Sequence, residues 1–368
     1  MLTRNGRIRQ SNLEFMRIIS MLFIVIYHFM IETGANILGN TNGITKDILL
    51  FISLLIIVHV NSFILVTGYF QYNKEFHIKR LIYLLIETYT YKAVIATVFL
   101  IFWKSKITTI NLLSALSPLE LGNYWFVKQY ILLYILSPYI NIIIEKLNKK
   151  AHLKLIIILF VCLSIIPTIT NQRLFVNNGF TISHFIFMYI IGSFLGKYSL
   201  ESSNYLTKNQ NRIRIYLIFC YILAGCLNFC FHQLCNYFLG ITNNSTFIMI
   251  IREIGSNTFY YQNPLIVIQS ISYFLIFLTY SFKNKIINKL ASGVLAVYLI
   301  TENILVRNNI YSAIKPFTKN VFLKVLIYSI IIMAVCLIIE LLRQFIMYIF
   351  VNIYYKIVKY KKQKTNSV

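Results

Sequence analysis

Two ionisable residues inside the first apolar run pose the chemical question, Arg17 and His28. They stand 11 residues apart, which at about 100° per residue is three helical turns plus ~20°. A helix therefore puts both on one face, about 16 Å apart along its axis. Met21 and Ile24 fall on the same face between them. A guanidinium holds phosphate or carboxylate oxygens through a bidentate fork. A neutral imidazole takes a proton from a hydroxyl that must become a nucleophile. Glu14, one turn before Arg17, is placed to pair with it. A second arrangement suits the same spacing, with Arg17 reaching lipid phosphate and His28 a hydrogen-bonded interior histidine. Spacing alone leaves both open.

Other polar residues lie within apolar surroundings, where each ionised group costs ~2.5–3.5 kcal/mol to insert. Glu302, followed by Asn303, stands deep in a late run and has no bland role in the sequence. His59 and Asn61 read as core hydrogen-bonding groups. Glu87 and Lys92 are five apart, which is no helical pair, whereas Glu340 and Arg343 have the spacing of a structural ion pair. Lys128 follows Tyr124-Trp125-Phe126, an aromatic belt signal. His184 and His232 stand at run ends, where an interfacial position is expected. Cys226 and Cys230 are four apart without a His or a second pair, so no metal is expected, and the six cysteines read as small buried hydrophobes. There is no GxSxG elbow, P-loop, HExxH or dinucleotide fingerprint.

The elements that must carry these residues follow from composition. Of 368 residues, 58% are hydrophobic and 12% charged, against roughly 45–50% and about 25% in soluble domains. A soluble enzyme is excluded. Apolar runs fall near 13–32, 48–70, 82–102, 125–144, 155–170, 183–196, 215–235, 263–282, 290–306 and 322–350. The expectation is an all-α polytopic membrane protein of about ten transmembrane helices. No small-residue cleavage site follows the first run, so it reads as a retained helix. The stretch 236–262, the longest outside a run, is too short to fold alone, and no run is interrupted by paired Gly/Pro breaks. The net charge of +24 suggests nucleic acid only in a soluble domain. With the N-terminus inside, 22 of the 35 Lys and Arg fall in cytoplasmic segments and eight outside. That bias obeys the positive-inside rule with both termini cytoplasmic. No nucleic-acid partner is needed. One membrane domain spans 1–350, and 351–368 is a basic cytoplasmic tail.

Local strings then add up to a family resemblance. Arg17 through His28 has the R-x10-H form of the first helix in the integral-membrane acyltransferase-3 family. Asn61-Ser-Phe-Ile-Leu-Val-Thr-Gly68-Tyr69-Phe70 resembles that family's second-helix stretch ending in Ser-Gly-Tyr, with Thr67 in place of the Ser. Tyr124-Trp125-Phe126, with Tyr134 through Pro138 to Asn141, resembles its fourth helix, and Gly293 through Tyr298 to Glu302-Asn303 its ninth. Where members often carry Arg-x-x-Arg, this chain has His77-Ile-Lys79-Arg80, which keeps the basic character but loses one fork. Nothing in this sequence is expected to form the fused extracellular esterase-like domain that some members carry.

The resemblance implies a plasma-membrane O-acyltransferase, most similar to bacterial enzymes that O-acetylate cell-surface polysaccharide. It implies acyl-CoA (acetyl-CoA above all) as cytoplasmic donor and a hydroxyl of a cell-surface or lipid-linked glycan as acceptor. On that reading His28 is the general base, Arg17, Lys79 and Arg80 bind the anionic donor, and Glu302 orients an imidazole or holds acceptor hydroxyls. Two rivals share the many spans: a flippase or permease for lipid-linked sugars, and a membrane glycan polymerase or glycosyltransferase. The first calls for internal repeats and the second for larger extramembrane loops. Neither is found in the sequence.

Overall fold

The computed structural model describes residues 10–31, 37–103, 108–109, 124–170, 176–198, 209–310 and 320–365. Arg4, Arg7, Arg9, Lys104, Lys106, Arg173, Lys208, Lys315 and Lys319, which are counted in the charge argument above, lie outside them. Among the described residues the chain is helical and has no strand. The early elements are α1 (Ser11–Ile31), α2 (Gly43–Ile56), α3 (His59–Gln71), α4 (Ile78–Phe102) and α5 (Trp125–Lys146). Next come α6 (Lys149–Thr170, with a π turn at Val161–Ile165), α7 (Ile182–Lys197) and α8 (Gln210–Ile241). After these come α9 (Ser245–Ser256), α10 (Pro264–Leu278), α11 (Lys285–Ala291), α12 (Val294–Thr301), α13 (Ile304–Ile310) and α14 (Val321–Thr365).

Helix starts follow the asparagines of this Asn-rich chain. The side chains of Asn148, Asn244, Asn263 and Asn284 each accept a backbone N–H in the first turn of α6, α9, α10 and α11. Each satisfies a donor that the helix geometry orphans. Pro138 inside α5 cannot donate to the carbonyl of Tyr134. The Ser137 hydroxyl takes that carbonyl instead, at 2.8 Å.

Among the described residues, eight segments are long and apolar enough to cross a bilayer, against the ten expected. Two runs account for the difference. At 16 residues, α7 spans only about 24 Å of a core about 30 Å thick. The run 290–306 is not one helix: α12 ends at Thr301, Glu302 and Asn303 form a turn, and α13 begins at Ile304. The stretch 236–262 is likewise no loop. It holds the end of the 32-residue α8, then α9, which runs with α10 as a candidate span.

Two apolar clusters meet at α1. Val25, Phe29, Val297, Leu299 and Met333 centre one of them, among α1, α12 and α14. Met16, Ile64, Phe187, Tyr189 and Phe274 centre the other, among α1, α3, α7 and α10. In the second cluster α3 and α7 approach closely through glycine. A Cβ on Gly68 would lie 2.2 Å from the carbonyl oxygen of Tyr189, one on Gly192 would lie 2.4 Å from that of Leu65, and one on Gly196 2.5 Å from that of Tyr69. Gly192 and Gly196 form the small-xxx-small pattern that lets membrane helices touch backbone to backbone. The outer faces of α4, α6 and α8 carry exposed Ile86, Ile157, Phe219 and Ile222, as a lipid-facing surface requires. Cys162 and Cys230 are also exposed, which corrects their expected burial, while Cys235 and Cys336 are buried.

Candidate active site

Between the two clusters lies a cavity of about 790 Å³. Arg17, Met21, Ile24, Tyr27 and His28 line it from α1, the one-face set that the 11-residue spacing requires. The antiparallel α3 lines it with His59 at the C-terminal end of α1 and Gln71 at the other end. The cavity thus has two chemically different ends.

At the first end, His28 Nδ1 lies 3.3 Å from Glu302 Oε1. This is an ion-pair approach rather than an aligned hydrogen bond. The other carboxylate oxygen, Oε2, lies 3.5 Å from Arg307 Nη1. The Glu302 side chain is 2% exposed, so nearly all of its charge compensation must come from these neighbours. The helix break makes the contact. Glu302 caps α12 with its N–H donated to Tyr298 O at 2.9 Å. Asn303 opens α13 by accepting from Leu305 N at 3.0 Å and donates to the Tyr124 hydroxyl at 3.2 Å. Tyr124 in turn donates to the carbonyl of Leu299. Both sides of the break are therefore pinned to the start of α5.

At the second end, Arg17 donates from Nη1 to Glu14 Oε2 at 2.8 Å, the pair that i,i+3 spacing predicts. Arg80 Nη1 reaches Gln71 Oε1 at 3.5 Å. Tyr130 from α5 lines the cavity here. The segment before α4 is held by Tyr134, whose hydroxyl accepts from His77 N at 3.2 Å. Asn141 donates to Gln71 O at 2.9 Å. Two guanidinium groups, one of them already paired with Glu14, stand here beside neutral donors, a combination able to hold an anion. Lys79, expected beside Arg80, does not line the cavity, although both side chains are exposed. Consecutive helical residues diverge by about 100°, so only one of the two faces inward.

Residues 10–341 match a family model described as an acyltransferase domain. The chain belongs to the acyltransferase-3 family. This acyltransferase-3 protein is thus a multi-pass membrane acyltransferase. No curated protein and no solved structure matches it. The flippase reading finds no support in the family match.

Of the residues the sequence singled out in this acyltransferase, Arg17, His28, Arg80 and Glu302 meet in one cavity. Arg307 and His59 also line it, and sequence reasoning missed both. Arg307 stands five residues from Glu302, outside any regular helical pairing. His59 read as core, and its burial is complete at 1% exposure. His184 is also fully buried. Its Nε2 lies 2.8 Å from Asn61 Oδ1, while Asn61 Nδ2 donates to Tyr261 O at 3.0 Å. Glu87 lines the cavity and accepts from Arg343 at 3.1 Å, joining α4 to the Glu340–Arg343 pair on α14.

Proposed function

We propose that this acyltransferase moves an acyl group, acetyl above all, from acyl-CoA to a hydroxyl of a cell-surface or lipid-linked polysaccharide at the plasma membrane. The observation that carries the reading is the His28–Glu302 contact, 3.3 Å across one end of a cavity whose other end holds Arg17 and Arg80. Glu302 against Nδ1 favours the tautomer with its proton there, which presents Nε2 as the base. The acceptor hydroxyl loses its proton to Nε2 as its oxygen attacks the thioester carbonyl. The new C–O bond forms, the C–S bond breaks, and the proton passes from His28 to the departing thiolate. Glu302 stabilises the imidazolium formed between these steps. Arg17 and Arg80 hold the donor's phosphates, about 16 Å from His28 along α1, so that an extended thioester arm bridges the two ends.

His28→Gln tests the assignment. Glutamine keeps the hydrogen bonding and much of the size but cannot serve as the base. Transfer of labelled acetyl from acetyl-CoA to membrane glycan, per molecule of protein, should fall about 10²–10⁴-fold, with acetyl-CoA still bound. Near wild-type transfer by His28→Gln removes His28 from the mechanism.

A further inference from the structure

Beyond His28 the cavity is walled by aromatic rings. Trp125 and Tyr261 lie nearly parallel, with centroids 6.0 Å apart and planes 25° from one another. Phe180 stands edge-on to Trp125 at 4.5 Å and to Tyr261 at 5.3 Å. His59 joins this wall, 5.7 Å from Tyr261 and 5.6 Å from Tyr27, and all five side chains line the cavity. His59 is 1% exposed, and among the described residues neither of its ring nitrogens has a hydrogen-bond partner. Burying such a group without a partner is unfavourable, and it becomes favourable once a ligand supplies one.

We infer that this end of the cavity is an acceptor subsite shaped for a pyranose ring, with Trp125 and Tyr261 together forming an aromatic wall against one C–H face of the sugar and His59 hydrogen-bonded to one of its hydroxyls. The inference rests on the acyl transfer proposed above and adds which residues select the acceptor. A pyranose has flat apolar faces and an edge of hydroxyls. Here aromatic faces are interrupted by one imidazole that is able to donate from one nitrogen and accept at the other. An acyl chain would be served by aromatic walls but would leave His59 unpartnered. A phosphate would find no guanidinium within this aromatic group. Tyr27 and His28 are neighbours on α1, with ring centroids 6.1 Å apart, so a sugar seated here brings a hydroxyl to the proposed base.

The chain has two tryptophans, and Trp103 stands exposed, away from the cavity. Trp103→Phe therefore leaves Trp125 as the sole indole reporter. The full chain, held in a phosphocholine detergent so that no sugar headgroup competes, is titrated with methyl β-glucoside, methyl β-galactoside and methyl N-acetyl-β-glucosaminide. At least one should shift Trp125 emission saturably, whereas ethylene glycol should not. His59→Phe keeps an aromatic ring in place and removes both nitrogens, so packing survives. It should weaken that glycoside at least about tenfold and raise the acceptor KM in step, with the acyl-CoA KM unchanged. No saturable shift with any of the three overturns the subsite, as does a His59→Phe variant that raises only the acyl-CoA KM. Intact acyl transfer with silent glycosides sinks the subsite and spares the transferase. Saturable glycoside binding without acyl-CoA-dependent transfer does the reverse.

Discussion

Glu302→Gln separates chemistry from architecture. The substitution keeps the shape of the side chain, and the backbone caps at Tyr298 and Leu305 do not involve the carboxylate. What it removes is one negative charge 3.3 Å from His28 Nδ1. At an effective dielectric of about 20, a carboxylate and an imidazolium at that distance attract by about 5 kcal/mol. Arg307 lies 3.5 Å from the other oxygen and draws on the same charge, so the share available to the imidazolium is smaller, about 2.5–5 kcal/mol. That attraction exists only while His28 carries the proton, so it lowers the barrier without tightening ground-state binding. At 1.36 kcal/mol per decade the loss is about 10²–10⁴-fold in turnover. The assay is acetyl transfer from labelled acetyl-CoA in proteoliposomes, normalised to folded protein, with KM measured for both substrates. The expected pattern is a lower kcat with both KM values within about threefold of wild type. A Glu302→Gln enzyme with kcat within threefold of wild type would refute the dyad.

Three further outcomes are expected. Arg17→Lys keeps the charge but loses the fork, so the acyl-CoA KM should rise by about tenfold, with normal membrane insertion; an unchanged KM returns Arg17 to a lipid-facing role. Gly68→Ala drives a methyl to 2.2 Å from a backbone carbonyl and should lower the yield of folded protein and its Tm by at least several degrees, while Gly240→Ala, which meets nothing within 4 Å, should be neutral. Reporter fusions at Lys150 and Lys315 should report opposite sides of the membrane, as the positive-inside bias requires, and the same side for both sinks that topology.

What the sequence disclosed depended on whether the geometry was regular. Arg17 and His28 were legible because 11 residues is close to three turns of an unbroken helix, and α1 is unbroken from Ser11 to Ile31. Glu340 and Arg343 were legible for the same reason, at 2.6 Å within α14. Glu302 was visible as a cost but not in its setting. Its helix breaks at a Glu-Asn pair rather than at Gly or Pro, and an apolar run shows no such break. Arg307 was lost with it, since the contact crosses the break at a spacing of five. The same break and the short α7 are where the ten expected spans and the eight candidate spans among the described residues differ. Nothing local distinguishes a buried, partnered histidine such as His184 from a buried histidine such as His59, which has no hydrogen-bond partner among the described residues, because their neighbours come from α1, α3 and the turn before α10.

The break at Glu302 also explains how a carboxylate is tolerated at 2% exposure. An irregular turn at membrane depth persists only where protein satisfies its backbone, and here the caps at Tyr298 and Leu305 and the tie to Tyr124 do so. The carboxylate's two oxygens are divided between partners of different kinds. Oε2 faces Arg307, whose charge is permanent, and Oε1 faces His28, which is a cation only while it holds a proton. Arg307 thus supplies the standing counter-charge that a buried carboxylate needs, and the pair does not depend on a second cation. The remaining attraction is held for the moment a proton arrives on His28. A lone His28–Glu302 pair would lack that standing counter-charge, and a lone Glu302–Arg307 pair would do no proton chemistry. With all three groups, a structural ion pair also serves as the polar arm of a base, and the turn after α12 is what brings them together.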